Sequence, residues 1–495
     1  MEPEQLTSYN NHSNIVNIQK NININRKKTV DFFFLYRLVG MIEEDILEYC
    51  NNKIYEYSGT GELLFEDGQK FDCKFVAFQM KNGKILFHAK RCRSKIQQYS
   101  SPKKGYCRVS FVGVTDKKYK ISGKNGFIIH IESVNDERSI TCSFEMLNVQ
   151  ISENENKREV HFGITNFEFT GNECNGRTLT LNLKGSAGIS IQKLKAYNKI
   201  MRWIKTFRSI DVNCKAIFNL SEEKFENTIE ILDNLLYAMS IARGTKIQWI
   251  YYEIFDDKGI CISRVHSSSR VTKVYSSYNL IDPKDTNSTK IFLENAKPIF
   301  GEKSKLVEPM RELIDSHLDS LIPGVYLETK GANLGITMEM LKEIFIRTVE
   351  KDGINKENIL TEEKFKELEK SIKKCIKFEV KEKEKRALIY KNLKSINRRP
   401  FNTLISDFCK EINFEVDEDQ VQLFVKCRNQ LVHTGNFYCR YATEDKERYP
   451  QLKDELSEYR FLVNFINKLL LKSYGYRGFY LDWSSTEEPV CKELV

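Results

Sequence analysis

The segment Arg428-Asn429-Gln430-Leu431-Val432-His433, followed at once by Thr434-Gly435, puts a strong phosphate ligand and a proton-transfer group on one short stretch of chain. Arginine offers a planar fork that donates two parallel hydrogen bonds to phosphate oxygens. Histidine is the side chain whose unperturbed charge change falls nearest neutral pH. Together they point to phosphodiester chemistry. RNA cleavage without a metal uses the ribose 2′-hydroxyl as the attacking group. One group must take that proton, another must protonate the departing 5′-oxygen, and a cation must offset charge on the pentavalent phosphorus. Arg428 suits the last role and His433 a proton transfer, while Asn429 is placed to bond the phosphate or orient His433. No other histidine lies C-terminal to His317, and one histidine is awkward for two proton transfers. A two-fold dimer with these segments facing each other would supply two of each residue.

An amphipathic helix must position them. Val421, Phe424, Val425 and Val432 fall at helical spacing on one apolar stripe, and Arg428 occupies its remaining slot. A guanidinium there cannot be left dry and unpaired, so it must face a partner, an interface or an anionic ligand. Asp417 with Gln420 three residues on predicts a capping box, and Glu418 and Asp419 add negative charge at the helix start. Gly435 is placed to end the helix in a left-handed cap. Asn429 and His433, four apart, share a face. Arg428 lies about 140° round the axis from His433 at roughly 100° per residue, so its long arm must curl toward any shared ligand.

Arg428-Asn429-x-x-x-His433 resembles the R-x4-6-H signature of HEPN domains, helical bundles many of which are metal-independent ribonucleases of toxin and antiphage systems. Upstream, Leu327-Glu328 and Met338-Glu339-Met340-Leu341 resemble the opening helix of that family. Downstream, Phe465 to Leu471 runs into Tyr474-Gly475-Tyr476-Arg477-Gly478-Phe479-Tyr480, similar to the closing segment of large defence proteins. The chain as a whole, a long β-rich N-terminal part followed by the bundle, is most similar to the ApeA-like abortive-infection family. The resemblance implies an endoribonuclease working as a homodimer through its C-terminal bundle, with Arg428, Asn429 and His433 catalytic and no cofactor. It implies an RNA substrate, tRNA or another structured RNA, 2′,3′-cyclic phosphate and 5′-hydroxyl product ends, and a phage-derived trigger acting through the N-terminal region. A non-catalytic HEPN module for dimerisation or nucleic-acid binding is the competing expectation.

Charge distribution bears on the substrate. The net charge of +9 is mild, but eight lysines and three arginines against three glutamates fall between Ser371 and Arg399, a net +8 in 29 residues. Such a run is either a solvated helical face or a basic wall that draws phosphate backbones by counterion release. Lys381, Lys383, Lys385, Arg386, Arg398 and Arg399 are the candidate RNA contacts. The 13 cysteines lack any Cys-x-x-Cys pair and the seven histidines lack metal-ligand spacing. A disulfide framework and a dedicated metal centre are therefore not expected, and a reducing cytoplasm is. The longest apolar run, Asp31 to Ile42, is broken by Arg37 and too short to span a bilayer.

At 495 residues the chain predicts two to four units, an α+β multidomain protein. The Asn-rich leader, 1–30, reads as disordered. Residues 31–190 read as a β-rich domain, a sandwich or an open barrel, with Asp67-Gly68 and Asn82-Gly83 as hairpin turns. Residues 191–325 form a mixed α/β segment that continues the sensor region. Residues 326–485 read as the all-α HEPN-like bundle, and 486–495 as a tail. Its helices are traced by Leu334 to Thr348, by Phe365, Leu368, Ile372 and Cys375, by Phe401 to Ile412 after Pro400, and by Leu452 to Leu469. The N-terminal segments carry no P-loop, dinucleotide fingerprint or nucleophile elbow.

Overall fold

The computed structural model describes residues 53–94, 108–134, 137–154, 156–183, 188–221, 224–268, 275–296, 307–348, 357–484 and 488–494. The leader and the Asp31–Ile42 run lie outside them. The chain divides into two compact units, Met1–Val149 with His266–Ser268, and Gln150–Val265 with Ser269–Val495.

The first unit is β-structure: β1 (Lys53–Phe65), β2 (Lys70–Met80), β3 (Ile85–Ser94), β4 (Arg108–Thr115), β5 (Lys120–Val134) and β6 (Glu137–Gln150). The two expected turns join the first three strands. Gly68 and Gly83 take φ of +84° and +85°, and Asp67 and Asn82 accept from the Gln69 and Lys84 N–H groups at 3.0 and 3.1 Å. The order is β3-β2-β1-β4-β5-β6, and β6 pairs back onto β3. The unit is thus a closed six-stranded barrel, neither a sandwich nor an open barrel. Closure comes from long strands, 15 and 14 residues in β5 and β6, which carry the chain round to the free edge of β3. Inside, Phe75, Phe87, Phe111 and Phe144 meet with ring centroids 4.4 to 5.5 Å apart. A small barrel filled this way is a packed core.

In the second unit β7 (Glu159–Thr165), β8 (Thr178–Leu181), β9 (Ile189–Lys193), β10 (Val212–Asn219), β11 (Trp249–Phe255) and β12 (Cys261–Ser267, its last two residues counted in the first unit) lie in the order β12-β11-β7-β10-β9-β8. Alternation along β7 and β10 buries Val160, Phe162 and Ile164 with Cys214, Ala216 and Phe218. Four helices follow or interleave: α1 (Tyr197–Phe207), α2 (Phe225–Arg243), α3 (Thr286–Asn295) and α4 (Val307–Ser320). The fully buried Arg243 guanidinium donates to the carbonyls of Glu168 and Ile281 and to the Thr289 hydroxyl. Burial pushes its pKa down to about 10, against the opposing pull of the nearby Glu168 carboxylate.

The helical part comprises α5 (Leu327–Thr348), α6 (Glu362–Glu379), α7 (Lys383–Ile396), α8 (Phe401–Glu411), α9 (Glu418–Thr434), the single turn α10 (Asp445–Arg448) and α11 (Glu455–Ser473). A two-strand ribbon, β13 (Phe479–Asp482) with β14 (Val490–Glu493), closes it. Its core is continuous with that of the sheet, from Phe162 through Leu313 and Leu341 to Phe424 and Leu469. Strands and bundle therefore form one body. Pro400 stands at the N-cap of α8, directly before Phe401, and not at the helix's first position, which proline favours. The α6 stripe is not a core stripe: among its residues only Phe365 is buried, and Leu368 is 42% exposed. Among the described residues no helix is long and apolar enough to cross a membrane.

Candidate functional site

Helix α9 forms where its caps place it. The Asp417 carboxylate accepts from the Asp419 N–H at 3.2 Å, so the cap is made without the N–H of Gln420. At the other end Gly435, at φ +71°, donates its N–H to the Leu431 carbonyl at 2.9 Å, the left-handed cap expected. The buried face is Val421, Phe424, Cys427 and Leu431, with Leu423 beside it. Phe424 stacks on Phe465 of α11 at 4.4 Å. This face is turned by about one position from the expected stripe, because Leu423-Cys427-Leu431 repeats every four residues and takes the centre. Val432 is 40% exposed. Arg428 sits at the edge of the buried face, with Asn429 and His433 exposed beyond it.

Two glycines of α5 bring that helix against the end of α9. A Cβ on Gly331 would stand 2.9 Å from both Leu431 Cδ2 and Phe437 Cζ, and one on Gly335 would stand 3.4 Å from Val432 Cγ2. Gly331→Ala should improve helix propensity by about 1 kcal/mol yet lower the melting temperature, since overpacking costs typically about 1–3 kcal/mol. A higher melting temperature would show that the two helices separate at no cost.

The close approach sets the surroundings of Arg428. Its side chain is 12% exposed and its Nη2 forms an ion pair with Glu339 of α5. Its Nη1 donates to Asn429 Oδ1 at 2.7 Å. The guanidinium lies over the Phe401 ring at 4.7 Å, a cation–π contact with the first residue of α8. Burial lowers its pKa. Among the described residues nothing accepts from its buried Nε. Glu339 also receives Lys342 at 3.2 Å, so one carboxylate faces two cations. The requirement that the charge meet a partner is thus satisfied within the chain.

Arg428, Asn429 and His433 are brought together in sequence on one helix end. Asn429 links them, bonded to the guanidinium on one side and one turn from His433 on the other. Glu339 and Phe401 were not among the expected site residues. Glu339 lay within Met338-Glu339-Met340-Leu341, whose apolar residues read as packing; a carboxylate between two methionines was the available signal. The basic candidates do not form one patch. Lys381, Lys383, Lys385 and Arg386 cluster where α6 turns into α7, whereas Arg398 and Arg399 lie at the other end of α7, roughly 20 Å along the helix. Arg386 donates to the carbonyls of Val380 and Lys381 at 2.9 and 2.6 Å, which fixes the turn. Lys385 pairs with Glu382 at 2.9 Å, Arg398 with Glu357 at 3.5 Å, and Arg399 with Asp407.

Three further histidines are built into the fold. His88 bonds Thr141 at 3.1 Å and His161 bonds Glu159 at 3.0 Å. His317 is buried against Asn467 at 2.7 Å, and burial takes its pKa down to about 4. Comparison with protein-family models, curated proteins and solved structures returns no match to the chain.

Proposed function

We propose that the protein is a metal-independent endoribonuclease of antiphage, abortive-infection defence, built on a HEPN-like bundle, with the N-terminal region as sensor or restraint. The observation that carries this reading is the end of α9: a guanidinium oriented by Glu339 and Phe401 beside exposed Asn429 and His433. His433 transfers a proton between the ribose 2′-hydroxyl or the leaving 5′-oxygen and solvent. Arg428 offsets charge on the phosphorane while its Nη2 is shared with Glu339. Asn429 holds the geometry between them. A second copy, with the two α9 helices adjacent across a two-fold axis, supplies the other proton-transfer group. The substrate is a structured RNA such as tRNA, the trigger is phage-derived, and the setting is the cytoplasm.

The second reading is a non-catalytic HEPN module for dimerisation or nucleic-acid binding. What favours it is the Arg428–Glu339 pair, which accounts for a half-buried arginine without any substrate. Purified protein incubated with total RNA, with and without EDTA, separates the two. The enzyme cleaves in both conditions; the module binds RNA and leaves it whole.

The turn lysines give a further expectation. Lys381, Lys383 and Lys385 changed together to Gln should weaken RNA binding and flatten the slope of log affinity against log salt by up to about 2–3. Arg386 is left in place because it holds the turn. An unchanged slope would assign these lysines to a solvated face.

A further inference from the structure

We infer that the outward side of α1 binds an unpaired stretch of nucleic acid, with bases stacked on Trp203 and Phe207 and phosphates held by Lys195, Lys199, Arg202 and Arg208. The surface belongs to the segment read as the sensor region and uses none of the residues at the end of α9. It stands whether or not Arg428 and His433 cleave RNA. Between Glu173 and Asp211 the chain carries eight Lys and Arg and no Asp or Glu. Helix α1 lies inside that run. Its buried residues, Tyr197, Met201 and Ile204, pin one side to the core of the second unit. At roughly 100° per residue, Lys199, Trp203 and Phe207, spaced by four, run along the other side with Arg202 and Thr206 beside them. Asn198 completes that side, so it holds rings, cations and small polar groups and no carboxylate.

The rings and the charges are both open. Trp203 is 45% exposed and Phe207 60%, and their ring centroids lie 4.1 Å apart. Single exposed apolar residues are ordinary, whereas two aromatic rings in contact and flanked by cations call for a ligand. Lys195, Lys199, Arg202 and Arg208 are exposed, and among the described residues none of them forms an ion pair. Their neighbours are engaged within the fold: Lys205 pairs with Glu168 at 2.6 Å, and Lys193 lies over the Phe169 and Tyr197 rings at 5.0 and 4.8 Å. Arg208 takes the left-handed C-cap of α1 at φ +50°, a position that favours glycine, so a cation is kept there at a conformational cost. A Cβ on Gly324 would stand 3.7 Å from its Nη1, which sets the guanidinium beside the turn into α5. Two residues beyond Gly324 is Tyr326, a further open ring at 83% exposure.

Rings and cations interleaved on one side suit a ligand that is aromatic and anionic along its whole length. A single strand of nucleic acid is such a ligand, because every base has a π face and every link a phosphate. A duplex keeps its base faces in the stack and offers this surface its backbone alone. A lipid surface fits less well: sinking Trp203 would draw Lys199, one turn before it, below the headgroups. A protein that covered the two rings would also desolvate Lys199 and Arg202 and would have to bring carboxylates to both.

The test is a titration of the full chain carrying His433→Ala, so that no RNA is cut, with oligo(U) and oligo(dT) strands of about 15 nucleotides and an RNA duplex of equal length. Affinity is read from the anisotropy of a labelled strand, and stacking from tryptophan fluorescence. Trp249 and Trp483 are half-buried, so the strands should quench chiefly Trp203, and the duplex should leave it unquenched. Trp203→Ala with Phe207→Ala should weaken strand binding by about 10- to 100-fold. Trp203→Phe keeps a ring, so affinity should stay within about threefold while most of the quenching disappears. Lys199→Gln with Arg202→Gln should lower the slope of log affinity against log salt by about 1.4. Circular dichroism should report unchanged helix content in every variant, since the altered side chains are exposed. Equal affinity for the two strands means that bases and phosphates alone are read; an oligo(U) preference of about tenfold or more adds the 2′-hydroxyl and makes the ligand RNA. Strands that leave the fluorescence unchanged overturn the inference, as does affinity indifferent to the loss of both rings, or quenching by the duplex or by phosphatidylserine vesicles in place of the strands. No titration reads cleavage. A chain that stacks strands on Trp203 and never cuts RNA would refute the ribonuclease reading alone, and one that cuts RNA while strands leave Trp203 unquenched would refute this inference alone.

Discussion

His433→Ala should abolish RNA cleavage, with a loss of about 10²–10⁴-fold, the usual contribution of a positioned proton-transfer group. The melting temperature should hardly move. His433 is exposed in the last turn of α9, and the helix end is set by Gly435 and its bond to Leu431. Among the described residues it makes no hydrogen bond or ion pair, so truncation empties no part of the core. The expected pattern is a folded, RNA-binding, inactive protein. His433→Ala at wild-type turnover would place the proton transfers elsewhere. A variant that loses several degrees of melting temperature along with activity would make the histidine structural.

Arg428→Lys is the second large effect, and here activity and stability should part. Lysine can keep the charge opposite Glu339 and bury part of its stem. It loses the planar fork, the Nη1 bond to Asn429 and the stacking on Phe401. Turnover should fall by about 10²–10³-fold, the scale of losing a donor to the developing oxyanion. Stability should fall by no more than about 1 kcal/mol, the usual worth of a partly exposed ion pair. Arg428→Met is the contrasting variant, since it removes one of the two cations facing Glu339 and should cost more stability. Equal turnover for Arg428→Lys and wild type would make Arg428 a packing residue that happens to pair with α5.

What could be read from the sequence follows from how local each signal is. The α9 cap residues Asp417 and Gly435 and the two barrel hairpin turns depend on residues within a few positions of each other, and they were legible; the capping box with Gln420 is not made, since the Asp417 carboxylate takes the Asp419 N–H instead. The closure of β6 onto β3 depends on strand length and curvature across more than fifty residues, and nothing local records it. The rotation of the α9 face by one position came from counting Val425 and Val432 as core while passing over Cys427. Glu339 was hidden because its function lies in a contact 89 residues away in sequence. The basic run between Ser371 and Arg399 was visible as charge. Its division into a fixed turn and two separated ends appears only when Arg386 is seen bonded to backbone carbonyls and Arg399 to Asp407.

The most direct test of the account is the chemistry of the cut ends. RNA digested by purified protein in EDTA should carry a 2′,3′-cyclic phosphate at the 3′ end of the upstream fragment and a free 5′-hydroxyl on the downstream fragment of each cut. The fragments should then be labelled by polynucleotide kinase without prior phosphatase, and none should appear with His433→Ala. Fragments with 5′-phosphate and 3′-hydroxyl ends, or cleavage that stops in EDTA, would contradict attack by the 2′-hydroxyl and with it the roles given to Arg428 and His433.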